Sequence, residues 1–270
     1  MQDATQDGTS QSDLMDPARA NALLVTLGID RQIAVSEPLP PFFHQIYFWD
    51  AQPAQKLGGD GHPKTGGLIP DTGLPRRMWA GGRLSFDAPL RAGLMATKTS
   101  VCESVTHKDG RSGPLALVTL RHEIRQQGAL CVTERQDLIY RAAATPDAPG
   151  PVAPKAPRDE DAAKEVRFST TRLFRYSALT FNGHRIHYDE DYARGTEGYD
   201  GLVVHGPLLA QLLMLFASDS ADGLRRFSFR ATAPLMHHEV ATLCRKKQDL
   251  WVRAADGRLC MRAEFATVSE

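Results

Sequence analysis

A proline-rich segment separates two stretches with the same strand grammar, and this arrangement constrains the chain more than any other feature. From Ala144 to Ala163 the sequence reads ATPDAPGPVAPKAPRDEDAA, with five of the chain's 17 prolines between Pro146 and Pro157. Proline lacks a backbone N–H and its ring clashes with helix continuation, so an extended linker is expected here. RLSFDAPL, TKTSVCESVTHK, PLALVTLRHEIR and ALCVTERQDLIY precede it; LRRFSFRATAPL, HEVATLCRK, DLWVRAA and RLCMRAEFATV follow it. Strand-forming residues, with apolar and polar positions alternating in several runs, mark these as half-buried strands. Asp109-Gly110 and Asp256-Gly257 are placed as hairpin turns, because glycine accepts positive φ without steric cost. Phe86 matches Phe229 at an offset of 143 residues, Pro89 matches Pro234 at 145, and the two Asp-Gly pairs are 147 apart. Such nearly equal offsets point to a diverged internal duplication. The expected organisation is a disordered polar tail over residues 1–15, a domain over 16–143, the linker over 144–163 and a second domain over 164–270.

Two helices stand out from the strands. Asp16–Leu27 has a capping Asp16, Pro17 at the first helical position and Gly28 as the stop. Pro207–Ser218, PLLAQLLMLFAS, is apolar on nearly every face and belongs in a core, with a sheet wrapped around it. LPRRMWAGG holds the corresponding place in the first half but is too short to match it. The Gly/Pro-rich stretch 53–82 contains GGDGHPKTGG, read as an exposed loop.

Composition narrows the function. Lys and Arg total 32, as do Asp and Glu, so bulk electrostatics does not favour a nucleic-acid partner. The longest apolar run, Leu208–Ala217, falls far short of the roughly 20 residues that span a bilayer. The amino-terminal text lacks the apolar core of a secretory signal. The four cysteines show no C-x-x-C spacing and are expected as free thiols in a reducing cytoplasm.

The chemistry-bearing text lies just upstream of the apolar helix. It reads FRYSALTFNGHRIHYDEDYA from Phe174, then GYDGLVVHGP from Gly198. This resembles the MaoC-like hydratase/dehydratase family, whose motif is approximately G-D-x-N-P-[ILM]-H followed by [VA]-H-G-x-L. His187 falls on the motif's His, Asn182 on its Asp, His184 on its Asn, and His205-Gly206 on the H-G pair. The first half resembles the companion domain of the double hot-dog subgroup, through LPRRMWAGGRL and GRSGPLALVTLRHE. F-N-x-H-R-I-H-Y-D is similar to the branch containing hydroxyacyl-thioester dehydratases and the mesaconyl-C4-CoA and itaconyl-CoA hydratases. The resemblance implies an α+β tandem hot-dog of antiparallel sheets, the second wrapped round the central helix. It implies hydration of a C=C conjugated with an acyl-CoA thioester, without metal or redox cofactor. The two sheets are expected to pair edge to edge as a pseudo-dimer, and a further homodimer is left open.

The residues support that chemistry in their own right. Adding water needs a base for the water proton and a donor for the developing enolate oxygen. Histidine suits the first, because its unperturbed pKa lies near neutrality. A first-turn helix amide suits the second. His187 is therefore the expected base and then acid, and Gly206 the oxyanion donor. Asn182 sits where an Asp would titrate or fix the attacking water, but it can only hydrogen-bond. Tyr176, His184, Arg185, His205, Arg77, Trp79 and Gly81 are the expected substrate- or CoA-binding residues. Arg76, Arg225 and Arg226 are further candidates for phosphates or a second carboxylate, since guanidinium pairs bidentately with oxyanions. Trp79 with Gly81 fits either a pocket wall or a turn with a packed aromatic. Asp189 is expected to cap a short helix entered at Glu190. Three rival readings are weighed. One is an iron site of His187-x-Asp189 with His205 or His237; another is a hot-dog thioesterase, which Asn182 weakens; the third is a non-catalytic acyl-thioester binder. A 3-hydroxyacyl-thioester dehydratase of fatty-acid type is the alternative within the family.

Overall fold

The computed structural model describes residues 8–110, 113–142, 152–218 and 223–267. The first half runs β1 (Thr9–Leu14), α1 (Pro17–Leu27), β2 (Arg76–Phe86), β3 (Met95–Gly110), β4 (Gly113–Gln126) and β5 (Ala129–Arg141). The second runs β6 (Ala162–Arg167), α2 (Thr170–Leu179), α3 (Glu190–Gly195), α4 (Gly206–Ser218), β7 (Leu224–Ala231), β8 (Val240–Lys246), β9 (Asp249–Ala254) and β10 (Leu259–Thr267). All strands join one antiparallel sheet in the order β1-β3-β4-β5-β2-β7-β10-β9-β8-β6. Read outward from its centre, the sheet repeats the same order twice. The duplicated strands β2 and β7 meet there, with Gly82 opposite Phe229 and Leu84 opposite Phe227. Edge pairing of the halves removes two open strand edges that would otherwise invite association.

Local signals explain the regular elements. The Asp16 carboxylate accepts the Ala18 amide at 2.8 Å, and Gly28 closes α1 at φ 77°. Helix α4 lies on the concave face against β7 to β10 and β2, burying Leu208, Leu209, Leu213 and Met214. A fully buried Leu contributes about 1.5–3 kcal/mol, so this helix is a principal anchor of the second half. In chain order, the matching region between α1 and β2 supplies a short 3-10 turn, Phe43–Ile46, which buries Phe43 and Ile46 beside Phe42.

Several expectations change. Residues 9–14 of the expected tail form β1 on β3, with the Ser12 and Thr97 hydroxyls 3.0 Å apart. TSQSDL is a mostly polar edge strand and so carries no hydrophobic period; residues 1–7 lie outside the described residues. Residues 144–151 of the expected linker also lie outside them. The later linker residues are tied to the second half: Lys155 bridges Arg258, Ala156 packs on Cys244 and Trp251, and β6 opens at Ala162. The halves share one sheet, and the largest core cluster draws residues from both of them. Asp109 and Gly110 are ladder residues opposite Pro114 and Gly113, and the loop between the strands, 111–112, lies outside the described residues. Asp256-Gly257 does make the expected turn, with Gly257 at φ 87°. LPRRMWAGG does not stand in for the central helix, because Arg76 onward is already β2.

Candidate active site

Helix α2 delivers the motif to the junction between the halves. Ser169 caps its start through the Arg172 amide. Its last turn ends at Thr180, and Phe181 turns the chain at φ 52°. The Asn182 amide then donates to the Ser177 carbonyl at 2.8 Å, while its side-chain oxygen accepts the His184 amide at 3.0 Å. That Asx turn leads into a 3-10 turn, Arg185–His187.

The same turn sets the His187 tautomer. Its Nδ1 lies 2.7 Å from the Val203 carbonyl, which can only accept, so Nδ1 carries the proton and Nε2 holds the lone pair. The Val203 amide in turn donates to the Ile186 carbonyl at 2.9 Å, locking motif and pre-helix segment together. Two residues on, His205 precedes α4; its ring stacks on His187 at 3.7 Å and its Nε2 lies 2.8 Å from the Ser177 hydroxyl. Gly206 opens α4, where helix geometry leaves first-turn amides without an intrahelical acceptor. Outside its chain neighbours and the helix's own backbone, no atom stands within 4 Å of where a Cβ on Gly206 would lie, so there is open space at the start of this helix.

The first half closes over the motif through the loop read as exposed. The Arg185 amide donates to the Asp60 carbonyl at 2.9 Å, and its guanidinium donates to the Gly59 carbonyl at 3.1 Å. A side chain on Gly61, at φ 89°, would collide with the Gly183 carbonyl; one on Gly183 would stand 2.8 Å from the Gly61 carbonyl. This close backbone approach brings the His62 ring to 4.6 Å from His184, itself edge-on to His187 at 5.4 Å. Asp60 and His62 are thus site residues that sequence reading missed. A loop rich in glycine, carrying an acid and a histidine, was the available signal.

Burial controls the charge of this cluster. It pushes His187 down to about 3, helped by nearby His184 and opposed by the Val203 carbonyl. Burial and then Arg77 bring His184 down to about 4. Burial also holds His62 and His205 well below the ordinary histidine value; after burial, Arg77 acts on His62 and His187 on His205. At neutral pH the four imidazoles are uncharged and hold lone pairs. Asp60 is shifted upward by burial, against the pull of a backbone hydrogen bond and of Arg77.

The remaining expected residues divide. Tyr176 is fully buried with its ring edge-on to His205 at 5.0 Å, and its hydroxyl has no partner among the described residues. Arg77, on β2, acts electrostatically on His62, His184 and Asp60 and makes no ion pair among the described residues. Arg76 beside it is spent on Glu197 at 2.7 Å. Arg185 is also committed, to Asp189 at 2.8 Å and over the Tyr192 ring at 4.1 Å, so it clamps the loop and offers no free guanidinium. Trp79 and Gly81 belong to the junction packing. Trp79 donates to the Gly81 carbonyl and lies 6.2 Å from the Phe229 ring; Gly81 lacks a Cβ that would strike the Phe229 carbonyl. Arg225 and Arg226 are exposed on β7. Asp189 caps α3 through the Tyr192 amide at 3.0 Å. With His187 Nδ1 on a carbonyl and Asp189 on a helix cap and Arg185, the iron constellation of the rival reading does not converge. Polar atoms of Asp60, His62 and His184 do lie within 4.8 Å of one another, a grouping of metal-ligand type. The field of Arg77 at the same place opposes a divalent cation.

Known proteins share both sequence and fold with this chain. Residues 42–237 match the family model described as hydroxyacyl-thioester dehydratase type 2. The mesaconyl-C(4)-CoA hydratase of Chloroflexus aurantiacus is 49% identical over 200 residues, covering 73% of this chain and 71% of that protein. The mitochondrial hydroxyacyl-thioester dehydratase type 2 of Schizosaccharomyces pombe is 27% identical over 249 residues, covering 79% of this chain and 80% of that one. A Mycobacterium tuberculosis protein with a double hot-dog fold superposes with TM-score 0.57 at 13% identity, covering 97% of this chain and 96% of that one. The tandem hot-dog architecture expected from the motif is thereby matched across nearly the whole chain.

Proposed function

The chain belongs to the hydroxyacyl-thioester dehydratase type 2 family and is a hydro-lyase of acyl thioesters, and from that premise we propose that it hydrates mesaconyl-C4-CoA. The observation that carries the mechanism is the His187 tautomer: Nδ1–H is fixed on the Val203 carbonyl, leaving Nε2 as an uncharged base. Next to it, the ring stacked on His187 is followed in the chain by the Gly206 amide.

Nε2 of His187 takes one proton from a water whose oxygen bonds to the β-carbon. The C=C electrons move toward the thioester, and the enolate oxygen gathers charge that the Gly206 amide stabilises. The α-carbon then takes the proton back from the His187 imidazolium, restoring neutral His187 and breaking nothing else. Burial makes this imidazolium a strong acid, which favours the return step. No metal or redox cofactor enters the scheme.

Substrate choice rests on the 49% identity to the mesaconyl-C(4)-CoA hydratase and on Arg77. In that substrate the carbon attacked by water also carries a carboxylate, so a cation is needed beside the base. Arg77 brings positive charge to the histidine cluster, acting on His184 and His62, and makes no ion pair among the described residues, so it is the candidate for that cation. Itaconyl-CoA, with a carboxylate in the same region, is the secondary candidate. The four cysteines are all free, which supports a reducing, cytoplasmic setting. A dehydratase of simple 3-hydroxyacyl thioesters is favoured instead by the family description and by the yeast relative. Purified protein incubated with mesaconyl-C4-CoA, itaconyl-CoA and crotonyl-CoA separates the readings by mass spectrometry. Gain of one water by mesaconyl-C4-CoA in preference to crotonyl-CoA is the expected result; preference for crotonyl-CoA overturns the substrate assignment. Release of free CoA without hydration overturns the hydro-lyase assignment.

A further inference from the structure

We propose that His184 is the second acceptor for the attacking water, filling the role of the aspartate that this chain lacks at position 182. The inference rests on the hydratase reading and concerns how its water is held. A water about to attack has two O–H bonds to direct and must keep an oxygen lone pair toward the carbon. His187 Nε2 accepts one. The motif's usual carboxylate would accept the other, but here position 182 is Asn, which cannot titrate and whose side-chain oxygen already accepts the His184 amide at 3.0 Å. The turn closed by that hydrogen bond sets the His184 ring at right angles to His187, with centroids 5.4 Å apart, so a second uncharged imidazole stands directly beside the base. The titratable group has moved two residues along the motif, and the turn made by Asn182 is what aims it.

The first half supplies the support. The Gly61–Gly183 backbone approach sets His62 against His184 at 4.6 Å, and Asp60 completes the group. Burial, and after it Arg77, disfavours protonation of His184, so the ring stays an acceptor at neutral pH. The catalytic site is therefore bipartite: the reacting residues come from the second half, and the loop holding His184 comes from the first.

Three variants test this, assayed on whichever enoyl-CoA the parent hydrates, so that a wrong substrate leaves the test intact. His184→Leu removes the acceptor and is expected to lower kcat about a hundredfold with KM within about threefold. His184→Gln, which keeps an acceptor oxygen, is expected to retain at least tenfold more activity than His184→Leu. Asn182→Asp placed in the His184→Leu background restores a carboxylate and is expected to recover at least about tenfold, with a new acid limb in the pH profile near an ordinary carboxylate value. Thermal melting of each variant monitors folding. Turnover by His184→Leu within about threefold of the parent overturns the proposal. So does a loss that neither the Gln nor the Asp variant relieves, since that is the outcome of a purely structural role. A parent that hydrates no enoyl-CoA overturns the hydratase reading and this inference together.

Discussion

At the residue scale, the site is defined by one fixed proton. The Val203 carbonyl compels Nδ1–H on His187 and thereby leaves the lone pair on Nε2, the atom proposed as the base. His187→Ala is expected to lower kcat by about a thousandfold while leaving the melting temperature close to that of the parent, since general acid–base groups contribute typically 10²–10⁴; loss of the conjugated enoyl absorbance measures it. The pH profile follows from the same environment. Only neutral His187 accepts a proton, and burial has brought its pKa down to about 3. Activity should therefore stay flat through pH 6–7, where an ordinary histidine titrates, and fall only on approach to about pH 4. An acid limb in kcat/KM near 6.5 counts against the buried, carbonyl-locked His187 as the base.

At the element scale, two glycines act at different ends of the machinery. Gly206 starts α4 with open space where its side chain would be. Gly206→Ala should fold normally and lose activity, at least about tenfold in kcat, because the added methyl occupies the approach to the oxyanion amide; equal activity in the folded variant would separate this amide from the reaction. Gly61 is the opposite case. Its φ of 89° and its contact with the Gly183 carbonyl leave no room for a Cβ, so Gly61→Ala should undock the loop. The expected outcome is a large activity loss with only a small drop in melting temperature, because the loop lies outside the sheet. Hydrogen exchange should show faster opening around residues 58–64 and 183–187 together. Protection unchanged in the second segment would show that loop and motif are not coupled.

At the scale of the whole molecule, the duplicated halves have diverged into a support and a reaction site that share one sheet. Their junction concentrates buried neutral imidazoles, and this gives the fold an acid sensitivity. For a histidine whose folded pKa lies below its unfolded value, the unfolded chain binds more protons between the two values. Stability is then fully present above the unfolded pKa of about 6.5 and is lost as pH falls toward the folded pKa. His187, at about 3 when folded and 7% exposed, should contribute about 2 kcal/mol of this loss by pH 5. His62, His184 and His205 shift in the same direction. Denaturant unfolding at pH 7 and pH 5 should show a clear loss in the parent, reduced in a His205→Phe variant that removes one buried imidazole; identical losses in the two would contradict this origin.

What the sequence by itself determined was everything written in short-range order. Runs of strand-forming residues, several of them alternating, marked eight of the ten described strands, Asp16, Pro17 and Gly28 bounded α1, and the unbroken apolar run of α4 placed it in the core. Nearly equal offsets along the chain pointed to the duplication, and the resemblance of the motif around His187 and His205-Gly206 to that of a hydratase family implied the reaction. β1 escaped notice because a polar edge strand has no apolar face to reveal it. Tertiary structure alone decided which lone pair His187 presents, since Val203 is sixteen residues away and its carbonyl carries no sequence signature. It also decided that residues 60–62 close on residues 183–185, a contact made by backbone across more than 120 positions. Periodicity and caps are local in the chain, whereas tautomers, desolvation and loop docking depend on which distant groups share one buried volume. For that reason the fold and the candidate histidine His187 were legible in the text, and the support that the first half lends to His184 was not.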